Sequence, residues 1–243
     1  MDQNQELAVA QMRRAVHNLG SSTERYGEIT LTRFLIARSF DIDKAAKMFV
    51  QWQNWRASFV PLNHIPESEI TDELNAEKIY LQGLSRKGHP VVMCKASKHF
   101  PAKDPLQFKK FVVHLLDKTI ASGFRGKEIG NEKLIAILDL QQIGYKNVDA
   151  RGLITGFQFL QSYYPERLAK CYLLHMPGFF VQVWRLVSRF LEKATLEKIV
   201  IVTNEEERQE FIREVGEEVL PEEYGGKANS TLLQDFEVKP LDD

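Results

Sequence analysis

Residues 163–202 read YYPERLAKCYLLHMPGFFVQVWRLVSRFLEKATLEKIVIV. Residues 168–175 form one mostly apolar run and residues 199–202 another, both rich in strand-forming side chains. Between them, Met176, Pro177 and Gly178 break the chain, and residues 179–191 repeat apolar side chains at helical spacing. Strands joined through a helix imply a parallel crossover.

The same alternation extends upstream. Ile79–Leu84, 91–96 and 134–140 are further apolar runs, and helical segments are expected over 105–122 and 149–164. The first two runs are linked by Arg86-Lys87-Gly88-His89-Pro90, a hairpin-like turn. This predicts an α/β fold with a mixed, mostly parallel five-stranded sheet.

The first third of the chain is helical instead. Helices are expected over 8–19, 30–39 and 42–58, the last capped by Asp41 and ended by Val60-Pro61 and Ile65-Pro66. The expected layout is a small helical N-terminal subdomain over 1–74 with its core at 28–58. A second domain follows over 75–228, and a tail over 229–243.

At 243 residues the chain has room for one or two domains. Apolar residues make up 44% and charged residues 27%, the profile of a soluble globular protein. The net charge of −1 disfavours a generic nucleic-acid binder. The longest charge-free stretches, 152–165 and 171–184, fall short of the roughly 20 apolar residues of a spanning helix. Asp2 and Glu6 precede any basic residue and no apolar run follows, so no signal peptide is expected. Cys94 and Cys171 are far apart and form no CxxC pair, which fits a reducing cytosol and no metal site.

An enzyme should show its chemistry. No GxSxG, GxxxxGK[ST], GxGxxG or HExxH stands in the chain. Gly123, Gly126 and Gly130 precede a strand, whereas a dinucleotide fingerprint follows one. Among the six histidines, His114 reads as a core or surface residue, and His175 at a strand end is the more suggestive.

The helix over 179–191 carries a narrow polar stripe of Gln182, Arg185, Ser188 and Arg189, with apolar side chains around most of the rest. Two readings stand: a helix buried in the core, or a lid over an apolar cavity that meets a membrane when open. Charge is also uneven. Seven basic residues and one acid lie between Arg86 and Lys110, against nine acids and two arginines between Glu205 and Glu223. The basic run reads either as a contact for anionic headgroups or as a solvated face.

Three blocks in order resemble the CRAL-TRIO family of lipid-binding and phosphatidylinositol transfer proteins. They are LTRFLIARSFDIDKAAKMFVQWQNWR over 31–56, the 163–202 stretch with its YPER, and LPEEYGGK over 220–227. The resemblance implies a cavity that holds one lipid, acyl chains inward, under a gate helix. Phe179, Phe180, Val183, Trp184 and Val187 would line and close it. Family headgroup positions fall on Arg38, Glu166, Thr195 and Lys198, whose donors and acceptors suit phosphate and inositol oxygens.

Two departures stand out. Leu134 and Ala136 replace the Ser-x-Thr pair of relatives that also carry phosphatidylcholine, and Ser39 replaces a basic residue found after the arginine in some relatives. The expectation is a non-enzymatic, monomeric, cytoplasmic protein with peripheral membrane association. Its partners would be membrane phospholipids and not nucleic acid, and it would need no cofactor beyond a bound lipid, phosphatidylinositol. Competing readings are a carrier or sensor of a sterol- or tocopherol-like molecule on the same fold, and a small α/β hydrolase.

Overall fold

The computed structural model describes residues 3–123 and 133–238. Gly126 and Gly130 lie outside the described residues.

The helical part comprises α1 (Gln3–Asn18), α2 (Glu28–Ala37) and α3 (Ile42–Phe59). Asp41 caps α3 as expected, its carboxylate accepting the Lys44 N–H at 3.0 Å. Met12, Val16, Leu31, Phe34, Phe49 and Trp52 form a shared core among the three helices. Several contacts join this layer to the rest: Trp55 of α3 stacks on Tyr163 with ring centroids 3.8 Å apart and planes within 6°, and Arg56 pairs with Asp117 at 2.7 Å.

After the short helix α4 (Thr71–Asn75) come β1 (Ile79–Leu84), β2 (Pro90–Lys95), α5 (Pro105–Ser122), β3 (Leu134–Asp139), α6 (Ala150–Tyr163) and β4 (Leu168–Leu174). They are followed by α7 (Phe180–Ser188), α8 (Lys193–Leu196), β5 (Ile199–Ile201), α9 (Glu205–Val215) and β6 (Thr231–Leu232). The sheet order is β5-β4-β3-β2-β1-β6. β2 through β5 are parallel, and β1 is antiparallel to both its neighbours.

The sheet is therefore mixed and mostly parallel, with one strand beyond the expected five. Tyr80 pairs with Leu232 and Leu81 with Thr231, and Leu233 behind them is fully buried. Part of the segment expected as a tail thus closes the β1 edge. A strand of two residues carries no alternation to read.

Side chains alternate across the sheet, as the two-residue period requires. Tyr80, Met93, Ile137 and Tyr172 point to one face, where Phe211, Ile212 and Val215 of α9 cover them. Leu81, Val92, Cys171 and Leu173 point to the other, toward α5. The LPEEYGGK segment closes tightly beneath α9. A Cβ on Gly226 would lie 1.9 Å from the Leu220 carbonyl oxygen, so only glycine fits.

Helix α5 starts on a strong local signal. Asp104 accepts the N–H groups of Leu106 and Gln107 at 2.8 and 3.2 Å, and Pro105 occupies the first turn. Asp104→Ala is expected to destabilise the fold by about 1 kcal/mol. For a domain of this size that lowers the melting temperature by about 2–4 °C. A thermal melt that does not move would show that the cap is redundant.

The two charge runs meet each other. Lys87 reaches Glu214 at 3.6 Å and Lys95 reaches Glu223 at 2.6 Å, while Lys110 pairs with Glu69. Much of the basic run is therefore compensated within the molecule rather than left open for headgroups.

Candidate functional site

The face of the sheet toward α5 and α6 is not filled. An apolar cavity of about 230 Å³ lies between β1–β4 on one side and α5, α6 and the start of α7 on the other. Its wall includes Val92, Phe111, Leu138 and Phe157. Two thiols, Cys94 and Cys171, also line it. Burial pushes them up to about 11 and about 12 respectively, so both stay protonated and behave as apolar wall.

The room has a visible cause in the sequence. Gly152 and Gly156 stand four apart on α6 and both line the cavity. A Cβ on Gly156 would meet nothing within 4 Å.

Of the residues expected to form the gate, Phe180 lines the cavity and is buried. Phe179, Val183 and Trp184 pack against the small cluster of Ala96, Leu140 and Phe180, and Trp184 also meets Phe157 edge-on at 6.3 Å. Val187 is fully buried.

The helix is shorter than expected. Regular structure spans Phe180–Ser188, and tight turns carry the chain on to Leu191. Nine residues make about 14 Å of helix rather than about 20 Å. It is also less covered than a core helix would be. Leu186 and Phe190 stay 46% and 49% exposed, four apart on the outer face. α7 is an outer-layer element lying over α6, held at its end by the Gln161 side chain, which accepts the Glu192 N–H at 2.8 Å.

A charged cluster sits where the parallel strands begin. Glu166 precedes β4 and takes a left-handed conformation at φ 57°, which a non-glycine residue rarely adopts. Its carboxylate lies 3.3 Å from Lys198, which precedes β5. Lys133, directly before β3, stands 3.5 Å from the same oxygen. Two ammonium groups thus flank one carboxylate and leave a local surplus of one positive charge.

The cluster is only partly covered, so a ligand can reach it. The Glu166, Lys198 and Lys133 side chains are 18%, 26% and 35% exposed. It also borders the cavity in sequence: Leu134 follows Lys133, Leu168 lies two residues past Glu166, and both line the cavity wall.

The other headgroup candidates fall as follows. Thr195 is buried one turn before Lys198, whose N–H its carbonyl accepts at 3.0 Å. Arg38 ends α2 with its guanidinium on the Ala37 carbonyl at 2.9 Å, and no described contact joins it to Glu166 or Lys198. α2 instead reaches the YPER turn through Arg33, which donates to the Pro165 carbonyl at 3.5 Å. Sequence reasoning missed Lys133, because a lysine before a strand carries no pattern of its own.

His175 is tied to Asp139. Its Nδ1 lies 2.8 Å from one carboxylate oxygen, and the Tyr224 hydroxyl donates to the other at 2.6 Å. Buried in that contact, the Tyr224 phenol is pushed well above its ordinary range. His114 rests on the Ile65 carbonyl at 3.1 Å and is held below its usual range by burial.

Cavity, outer helix and charged strand edge together define a class. The CRAL/TRIO domain family model matches residues 74–226, and the chain belongs to that family. The chain is 28% identical over 226 residues to the CRAL-TRIO domain-containing protein YKL091C of Saccharomyces cerevisiae, covering 84% of this chain and 72% of that one. It is 25% identical over 240 residues to the Sec14 cytosolic factor of Schizosaccharomyces pombe, covering 93% and 83%. It is also 28% identical to a phosphatidylinositol/phosphatidylcholine transfer protein of Arabidopsis thaliana, SFH12, of which it spans 39%. Among solved structures, the crystal structure of Sfh5 superposes with a TM-score of 0.67 at 19% identity, covering 86% of this chain and 77% of that one. That likeness speaks to the fold.

Proposed function

We propose that this protein binds one phospholipid, phosphatidylinositol, and exchanges it between membranes without covalent chemistry. The observation that carries the reading is the partly open Glu166–Lys198–Lys133 cluster at the edge of an apolar cavity in a CRAL/TRIO domain. A net-positive cluster suits a phosphodiester, and its one carboxylate suits the hydroxyls of the inositol ring. Acyl chains would occupy the cavity, where each buried methylene is worth about 0.8 kcal/mol. The name of the Arabidopsis relative, a phosphatidylinositol/phosphatidylcholine transfer protein, supports the same class of ligand.

The cavity as it stands is small. At about 230 Å³ it lies below the roughly 300–1,000 Å³ of sites for drug-sized ligands. A two-chain lipid therefore requires the α6–α7 wall to move outward. No described helix is long and apolar enough to cross a membrane, so membrane contact would be made at the surface. There the exposed Leu186 and Phe190 of the gate would find apolar surroundings. In this reading the protein works from the cytoplasm as a monomer.

Transfer of labelled phosphatidylinositol between vesicles tests the proposal. Phosphatidylcholine should transfer poorly, because Leu134 and Ala136 offer no hydroxyl to its headgroup. Equal transfer of both lipids would refute the headgroup assignment.

The gate makes its own prediction. In a chain whose Trp52 and Trp55 are replaced by Phe, Trp184 emission should shift to shorter wavelength on adding anionic vesicles. Amide exchange over 178–191 should change more than exchange in β3. A silent Trp184 with uniformly slow exchange would leave α7 a fixed wall.

A further inference from the structure

The outer end of α7 carries a hydroxyl that neither the cavity nor the charged cluster uses. Residues 185–189 read Arg-Leu-Val-Ser-Arg. Ser188 is the last residue of the helix, and its hydroxyl donates to the Arg185 carbonyl at 3.2 Å, a bond within its own turn. No other serine or threonine in the chain has an arginine three residues before it.

That spacing has a chemical meaning. A kinase that selects basic substrates pairs the upstream guanidinium with its own carboxylates, which sets the acceptor hydroxyl beside its catalytic aspartate. Arg185 and Arg189 are exposed, and among the described residues neither makes an ion pair. The helix beneath, α6, has no acid between Ala150 and Tyr163. Along the chain, the charged neighbours of Ser188 are these two arginines, with Glu192 and Lys193 one turn further on.

The position of the gate controls access. Val187 and Leu191, on either side of Ser188, are buried, so the segment cannot be drawn out into an extended substrate while α7 is seated. When the gate swings outward, both leave the core together. Gln161 then holds the end of the segment only through the Glu192 N–H at 2.8 Å and the Phe190 carbonyl at 3.5 Å.

We propose that Ser188 is a phosphorylation site for a serine kinase that selects basic substrates, and that the phosphate releases the open gate from anionic membranes. The inference rests on the reading of α7 as a gate that meets the membrane. In the step, the Ser188 oxygen attacks the γ-phosphorus of ATP. The hydroxyl O–H bond breaks and its proton passes to a kinase carboxylate. An O–P bond forms, and ADP leaves with the electron pair of the broken P–O bond.

The consequence follows from charge. The polar stripe of Gln182, Arg185, Ser188 and Arg189 carries two positive charges. Phosphoserine brings about −1.5 to −2 at neutral pH. Residues three apart on a helix have Cβ atoms about 5–6 Å from each other, which puts the phosphate within reach of the Arg185 guanidinium. The stripe becomes nearly neutral. Each near-surface basic residue strengthens binding to an anionic membrane about fivefold, so cancelling two costs about 30-fold. The phosphate also sits at the C-terminus of α7, where negative charge opposes the helix dipole.

The test treats the full chain with ATP and the catalytic subunit of cAMP-dependent protein kinase, and locates the phosphate by mass spectrometry. Modified and unmodified chains are then sedimented with vesicles of phosphatidylcholine and phosphatidylserine. The expected result is a phosphate on Ser188 and a vesicle affinity lowered by at least about tenfold. The loss should shrink as salt is raised, because it is electrostatic. Ser188→Ala should take up no phosphate at this position and bind vesicles like the unmodified chain. Ser188→Glu, which adds a smaller charge, should lose affinity severalfold without any kinase.

The inference is overturned if Ser188 stays unmodified, or if the phosphorylated chain binds the vesicles as tightly as before. An unmodified chain that ignores these vesicles would instead remove the membrane contact of the gate, and this inference with it.

Discussion

Lys198→Ala and Glu166→Gln are expected to lower phosphatidylinositol transfer between vesicles by about 10- to 100-fold, with the protein still folded. Each removes one charge-assisted hydrogen bond to a bound headgroup, worth about 1.5–3 kcal/mol. The effect on stability should be small. The pair is 3.3 Å apart and partly open to water, and ion pairs of that kind contribute about 0–1 kcal/mol. Lys133→Ala should cost transfer less, because Lys133 is the more exposed partner at 3.5 Å. A plain ion pair fastening β4 to β5 would give the reverse pattern, a modest loss of stability at an unchanged transfer rate. That outcome would end the headgroup assignment.

Gly156→Leu should separate stability from lipid binding in the opposite direction. The position lines the cavity and a Cβ there meets open space. Replacing a helical glycine gains about 0.5–1 kcal/mol. The new side chain would also take the volume of about four methylenes from any acyl chain in the cavity. At about 0.8 kcal/mol each, that is about 3 kcal/mol, or about 100-fold in affinity. The expected result is a protein that melts slightly higher and transfers almost nothing. Gly152 serves as the contrast. A Cβ there would sit 2.4 Å from the Asp149 carboxylate, so Gly152→Ala should disturb the α6 cap and lower stability. Normal transfer by Gly156→Leu would show that the ligand lies elsewhere.

How far these features could be read in advance depended on length and separation. The runs at 79–84, 91–96, 134–140, 168–175 and 199–202 are apolar enough to announce strands, and helices between them fixed the parallel pairing. β6 is two residues long and gave no signal. The gate was overextended by three residues at its end. Its apolar spacing continues through Phe190 and Leu191, although the backbone there has already tightened into turns.

The pairing of Glu166 with Lys198 crosses 32 residues and came from the family resemblance; the residues alone favour an ordinary ion pair tying helix end to strand start. Lys133 and the Lys78–His99 contact were invisible. The latter joins residues 21 apart across a hairpin, and nothing in the spacing of a lone lysine and a lone histidine marks them as neighbours. The cavity had one local sign, the two glycines four apart on α6, which is legible only once the face they occupy is known.

Native mass spectrometry of the chain after incubation with vesicles containing phosphatidylinositol and phosphatidylcholine tests the central claim most directly. The account predicts a one-to-one complex whose released ligand has the mass of phosphatidylinositol. Lys198→Ala should deplete that complex. A chain that emerges without phospholipid, or with phosphatidylcholine in proportion to its share of the vesicle, would contradict it.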